Sequence, residues 1–151
     1  MKVGDYCKRA FIAIDAKADV AEAARVMLDK HVRFLIAYRD GDPLQKPVGV
    51  LTDRDLLLGI NVARDADARA VVTVDDVMTQ EPLIASEDDE LSDLLQVMRL
   101  AGIRRAPVVD YRGALIGIMA IGDAIGVITG LRRDSTASNM SKQSQEWRRV
   151  S

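Results

Sequence analysis

Aromatic side chains are scarce in this chain: two Phe, three Tyr and one Trp among 151 residues. Proteins that hold single-stranded nucleic acid stack its bases on aromatic platforms along a basic groove. A formal net charge of −2 supplies no such groove, so a nucleic-acid role has little to rest on. The same near-neutral balance gives no drive towards an anionic membrane. One cysteine, Cys7, excludes an intrachain disulfide and any cysteine-rich metal cluster. That fits a reducing, cytoplasmic setting. Cys7 also lacks the histidine neighbour that activates a thiolate, and reads as structural. The one histidine, His31, has no second metal ligand near it in sequence. The N-terminal MKVGDYCKRAF carries no apolar run behind its basic residues, so no signal peptide is evident.

Only one long hydrophobic run is present. ALIGIMAIGDAIGVITGL, 114–131, has a single charge in 18 residues, close to the shortest membrane span. Asp123 would sit near its centre, at a cost of roughly 2.5–3.5 kcal/mol. The segment also matches a stretch of the first half that is not membranous. A buried strand followed by a helix is the expectation, with no membrane insertion.

What the chain does contain is the same pattern twice. A shift of 71 lays Val20, Ala23, Ala24 and Met27 on Leu91, Leu94, Leu95 and Met98, and Arg33 on Arg104. The loop 39–47 is three residues longer than its counterpart, so beyond it the shift falls to 68, pairing Gly49 with Gly117 and Asp55 with Asp123. Each copy starts with a short apolar stretch, 11–14 or 83–85, followed by a helix whose apolar residues fall at i, i+3, i+4 and i+7. Asp19 with Glu22 resembles a capping box at the first helix start. Two apolar runs follow, VRFLIAY then VGVLT, and later IRRAPVV then LIGIM, separated by the turn residues Asp40-Gly41-Asp42-Pro43 and Asp110-Tyr111-Arg112-Gly113. A second helix opens at Asp53 and again near Ile121.

The expected fold class is therefore α/β (α+β): two β-α-β-β-α repeats related by a pseudo-two-fold, each a small sheet with two helices. The boundaries are 3–62 for the first repeat, 63–73 for a linker and 74–131 for the second. One repeat would bury little alone, so the two are expected to share a core. Residues 132–151 turn to Ser, Gln and Arg, with five basic and two acidic residues. They read as a solvated tail, with Trp147, Arg148 and Arg149 as the alternative of a docking anchor.

GVLTDRDLL at 49–57 and GIMAIGDAI at 117–125 share one frame, but the Thr of the first becomes Ala120 in the second. Thr52-x-x-Asp55 suits a helix N-cap. It also suits ligand binding, because a strand-to-helix junction presents free N–H groups and the positive end of a helix dipole. An aspartate there can accept both hydroxyls of a ribose, as acidic residues do in dinucleotide-binding folds. Arg33 offers a planar fork for phosphate oxygens. Arg33, Arg104 and Arg105 could equally cover a sheet edge with their stems.

VDDVMT before the strand, GIRRAPVVD in the middle and GVLTDRDL at the last strand–helix junction, in doubled order, resemble a tandem CBS-domain pair over about 3–131. The resemblance implies a non-catalytic regulatory module that binds AMP, ADP, ATP or S-adenosylmethionine in clefts between the repeats. It further implies a homodimer acting on a partner protein. By position, the first cleft would use Thr52, Asp55 and Arg33, with the base near Asp76, Pro82 and Ile103. The second would use Asp123, Arg104 and Arg105, with the base near Asp5, Ala10 and Val32. The first keeps Thr-x-x-Asp but has Phe34 where the second has Arg105, so unequal affinities are expected, the second cleft being the more tolerant of phosphate.

An enzyme is not indicated. The sequence has no nucleophile–base pair, metal cluster, phosphate-cradling Gly-rich loop or paired acids, and no cofactor is called for. The remaining alternative is a structural dimerisation module with empty clefts. Gly122, Gly126 and Gly130 form a small-residue row that would allow close packing of the last helix.

Overall fold

A computed structural model of the chain describes residues 1–65 and 71–130, with side chains for all of these except 62–65. The tail expectation, including Trp147, falls outside the described residues.

The chain opens with a one-turn helix, α1 (Val3–Tyr6), and reaches strand β1 (Ala13–Asp15). Helix α2 (Val20–Lys30) follows, then β2 (Phe34–Tyr38), β3 (Gly49–Thr52) and α3 (Asp53–Asp65). The order then recurs: α4 (Val74–Val77), β4 (Thr79–Gln80), β5 (Ala85–Ser86), α5 (Leu91–Ala101), β6 (Arg105–Val109), β7 (Leu115–Ala120) and α6 (Ile121–Ile128). The expected β-α-β-β-α order is present in both copies. The sequence reading lacked the two short leading helices α1 and α4.

The helices start and stop for legible reasons. Asp19 is the N-cap of α2 and its carboxylate accepts from Ala21 N–H at 2.7 Å. Val20, Ala23 and Met27 are the buried face of that helix, and Leu91, Leu94 and Met98 that of α5. Both helices end in a left-handed residue, which lets the last carbonyls be satisfied: Gly102 after α5 and His31 after α2. His31 thus occupies, with a side chain, the place that glycine takes in the other copy. The run 114–131 resolves into β7 and α6, and among the described residues no helix is long and apolar enough to cross a membrane. The glycine row is shorter than expected. Helix α6 ends at Ile128, and Gly130 lies beyond it with φ +71°, so it is part of the stop signal.

The described residues fall into two compact units. The continuous unit is Ile12–Pro82, and the split unit joins Met1–Phe11 to 83–130. In the continuous unit the sheet runs β1-β2-β3-β4, with β1 parallel to β2 and the other pairs antiparallel. In the split unit it runs β5-β6-β7, extended by an antiparallel bridge from Lys8 to Ile118. Each unit has a buried cluster of its own. Val74 and Met78, from the start of the second repeat, complete the cluster of Ile14, Met27, Leu35 and Leu51. Val3 and Cys7, from the start of the first, complete the cluster of Leu91, Met98, Val108 and Met119.

The glycine that opens each repeated frame is explained by this exchange of leading segments. A Cβ on Gly117 would lie 2.5 Å from the Lys8 carbonyl oxygen and 3.0 Å from Cys7 Sγ. On Gly49 it would collide with the Met78 side chain. At Gly117 the incoming backbone passes so close to the strand that only glycine leaves room, whereas at Gly49 the neighbour is a flexible methionine side chain.

Candidate functional site

Each strand–helix junction lies within one unit. In the continuous unit β3 delivers Thr52 to the first turn of α3, where two hydrogen bonds close a reciprocal cap. Thr52 N–H donates to Asp55 Oδ2 at 2.8 Å, and Asp55 N–H donates to Thr52 Oγ1 at 3.2 Å. The capping expectation for this pair is therefore met. Binding is not thereby removed, because among the described residues Asp55 Oδ1 accepts no hydrogen bond and the Thr52 hydroxyl proton is not donated. Both residues are half-buried, so a ligand there would be partly shielded from water.

Arg33 is brought to the same place through its backbone. Asp53 N–H donates to the Arg33 carbonyl at 3.1 Å, and Arg33 Nε lies 3.9 Å from Asp53 Oδ2. With Arg33 68% exposed, that ion pair is weak and water-screened, so the guanidinium can turn to another anion. Val32, the preceding residue, is buried in the same unit's core. Asp76 is in α4 of the same unit, but its Oδ2 already accepts from Thr73 N–H at 2.9 Å and Thr73 O–H at 3.1 Å. Pro82 closes the unit and is half-buried.

The split unit repeats the arrangement with different chemistry. Ile121 N–H donates to the Arg104 carbonyl at 2.8 Å, the counterpart of the Asp53–Arg33 bond. Arg105 is the cross-strand partner of Ala120, as Phe34 is of Thr52. Arg104 is exposed and Arg105 half-buried. Asp5, in α1, and Ala10 are both exposed residues of this unit, and Ile103 lies here, half-buried, next to Arg104. Of the twelve positions read from sequence, Val32 and Ile103 thus each belong to the other unit from the residues they were grouped with.

The N-cap of α6 is Ala120, with no side-chain cap. Asp123 is buried, and its Oδ2 lies 3.2 Å from Lys8 Nζ, with 8% and 10% of the two side chains exposed. The contact is one of charge, not an aligned hydrogen bond. Lys8, the buried charged partner of Asp123, is a residue of this junction that the sequence reading did not single out. It is held by two backbone bonds, Lys8 N–H to the Ile118 carbonyl at 2.9 Å and Ile118 N–H to the Lys8 carbonyl at 2.8 Å. The 71-residue shift lays it on Thr79, an exposed residue in β4, so a lysine facing a threonine in the repeat frame was the available signal.

Beside Lys8, burial pushes the Cys7 thiol above its ordinary 9.0, with Arg9 opposing in part. Its Sγ lies 3.8 Å from the Gly4 carbonyl, as a structural cysteine would. No group of three or more His, Cys, Asp or Glu side chains able to hold a metal is present among the described residues. An open hollow of about 410 Å³ lies beside β1 and α2, lined by Asp15, Lys17, Glu22, Val26 and Tyr38 among others. None of the twelve candidate residues lines it.

Comparison with known proteins gives these features a context. The CBS domain family matches residues 3–61 and 74–130. A CBS domain-containing protein of Bacillus subtilis, YhcV, is 35% identical over 125 residues, covering 82% of this chain and 84% of its own. An uncharacterized protein of Methanopyrus kandleri, MK0525, is 30% identical over 127 residues; the match takes in 84% of this chain but only 62% of that protein. Among solved structures, CBSX2 of Arabidopsis thaliana in complex with AMP superimposes with a TM-score of 0.72 at 27% identity, covering 87% of this chain and 98% of that one.

Proposed function

The chain belongs to the CBS-domain family, and from that premise we propose that it is a regulatory module that binds adenosine-containing nucleotides and passes its ligand state to a partner protein. The observation that carries this is the half-buried junction where Asp55 Oδ1 and the Thr52 hydroxyl proton are uncommitted beside Arg33. A carboxylate accepts from a ribose diol, a hydroxyl donates to sugar or phosphate, and a guanidinium pairs with phosphate. CBSX2, of similar fold, holds AMP, which supports AMP as the first ligand to try. ADP, ATP and S-adenosylmethionine share the adenosyl group and follow it.

The two junctions are unequal, and the continuous unit has the stronger site. There the threonine hydroxyl and an open aspartate are both in place, whereas the split unit has Ala120 and an aspartate already paired. A homodimer in the cytoplasm completes the proposal. Leu57 and Leu58 on α3, 65% and 59% exposed, and Ile125 and Ile128 on α6 are apolar helix faces of the kind a second copy would cover. Those same faces favour the second reading, a structural dimerisation module without ligand.

Thermal denaturation with AMP, ADP, ATP, S-adenosylmethionine and NAD separates the two. A ligand that binds only the folded state at a hundred times its Kd stabilises it by about 2.7 kcal/mol. A rise in midpoint with at least one adenosyl ligand is expected, and a flat response to all five supports the structural module instead.

A further inference from the structure

Beyond the nucleotide reading, we propose that the outer edge of β1 docks an extended peptide segment of a partner protein, alternating apolar and basic residues, which adds to the continuous unit's sheet as one more strand. β1 stands at the end of the order β1-β2-β3-β4. Ile36 N–H donates to the Ile12 carbonyl at 3.1 Å, and Ala16 N–H donates to the Tyr38 carbonyl at 2.8 Å. Ile12, Ile14 and Ala16 thus turn their main-chain groups inwards to β2, and those of Ala13 and Asp15 point outwards. The Asp15 carbonyl is taken by Ala18 N–H at 2.9 Å. Among the described residues, Ala13 N–H, Ala13 C=O and Asp15 N–H take part in no hydrogen bond. An edge with such groups is a template for an added strand.

The hollow of about 410 Å³ lies along this edge, and its lining decides what fits there. Ile14 turns into the core with Met27 and Leu51, so Ala13 and Asp15 show the opposite face of the sheet, where Asp15 pairs with Tyr38. An added strand sends alternate side chains to the two faces: one set meets Ala18 and Val26 beside α2, the other meets Asp15 and Tyr38. Charge selects among the residues that reach the acids. Asp15 Oδ1 accepts Lys17 N–H at 2.9 Å, which leaves Oδ2 open. Among the described residues the Glu22 carboxylate and the Tyr38 hydroxyl have no hydrogen bond, and neither acid pairs with the Lys17 ammonium. Two carboxylates against one ammonium give the hollow a negative balance, which suits Arg or Lys and disfavours a phosphate. The same balance argues against a second copy of β1 as the occupant, since its own Asp15 and Glu22 would face these. A three-residue strand flanked by Lys17 is also how an edge avoids indiscriminate pairing.

The test uses the full chain and a heptapeptide library in which Val, Ile or Leu alternates with a random position. Arg and Lys should be enriched at the random positions. In the best-enriched peptide, Glu in place of each basic residue should weaken binding by at least about tenfold in calorimetric titration. On the wild type the peptide should slow amide hydrogen exchange at Ala13 and Asp15 by at least about tenfold, while Ile14, already bonded to β2, changes little. Ala13→Pro removes an outward donor without touching the ladder, and should lower affinity by at least about tenfold with the thermal midpoint unchanged. Asp15→Asn with Glu22→Gln guards against a folding defect in the proline variant and should cause a similar loss. No enrichment, enrichment of acidic residues, or binding that leaves both amides exchanging freely overturns the inference. A homodimer that Ala13→Pro dissociates also overturns it, by giving the edge to a second copy. Asp55→Ala should bind the peptide as the wild type does, so failure here leaves the nucleotide reading standing, and a chain that binds no nucleotide leaves this inference standing.

Discussion

Replacing Lys8 by Met keeps the length and bulk of the side chain but removes its charge, leaving the Asp123 carboxylate buried without its ammonium. Removing one partner of a buried ion pair destabilises by about 3–5 kcal/mol. Asp123 also sits in the first turn of α6, where the helix dipole supports a carboxylate by about 0.3–1 kcal/mol, so part of the loss is offset. The net expectation is roughly 2–4 kcal/mol, set against a total folding free energy of about 5–15 kcal/mol. For a chain of this size that lowers the midpoint of thermal unfolding by about 5–15 °C. Urea denaturation followed by circular dichroism measures it. Lys8→Met with Asp123→Leu is the control, since replacing both charges by apolar groups is nearly neutral. A loss below about 1 kcal/mol in Lys8→Met is what an exposed pair gives, and it would refute the buried-pair reasoning.

Other consequences concern the same framework. Gly117→Ala places a methyl 2.5 Å from the Lys8 carbonyl and should destabilise by about 1–3 kcal/mol in urea melts, whereas Gly122→Ala, with open space around its Cβ, should not destabilise. Burial raises the Cys7 thiol above 9.0 in the folded state, so its contribution is complete below that value and is lost as pH rises past it. The difference in urea midpoint between wild type and Cys7→Ala should be constant from pH 7 to about 8.5 and shrink above about 9; constancy to about pH 10.5 would contradict it.

The repeated helices were legible because their apolar residues recur at the helical period, and Val20, Ala23 and Met27 are buried just as Leu91, Leu94 and Met98 are. The strand–helix junctions were legible from Gly49 and Gly117 opening the same frame. The exchange of leading segments was not, because α1 and α4 are four residues each, too short for any period to show. Only pairing in space reveals that Val3 and Cys7 complete the core beside α5, and that Val74 and Met78 complete the one beside α2. For the same reason Lys8 passed unnoticed: a lysine two residues after a turn of helix ordinarily marks solvent, and nothing local announces that it meets Asp123. Asp76 was read as part of a base pocket, yet its carboxylate also serves as the cap partner of Thr73, a role that its spacing of three already permits.

The central claim is that the Thr52–Asp55 junction binds an adenosine nucleotide. Isothermal titration of wild type, Asp55→Ala and Asp123→Ala with AMP tests it most directly. Two classes of site are predicted in the wild type, with Asp55→Ala abolishing the tighter one and Asp123→Ala leaving it in place. Two equal sites, no AMP binding, or an Asp55→Ala titration identical to wild type would contradict it.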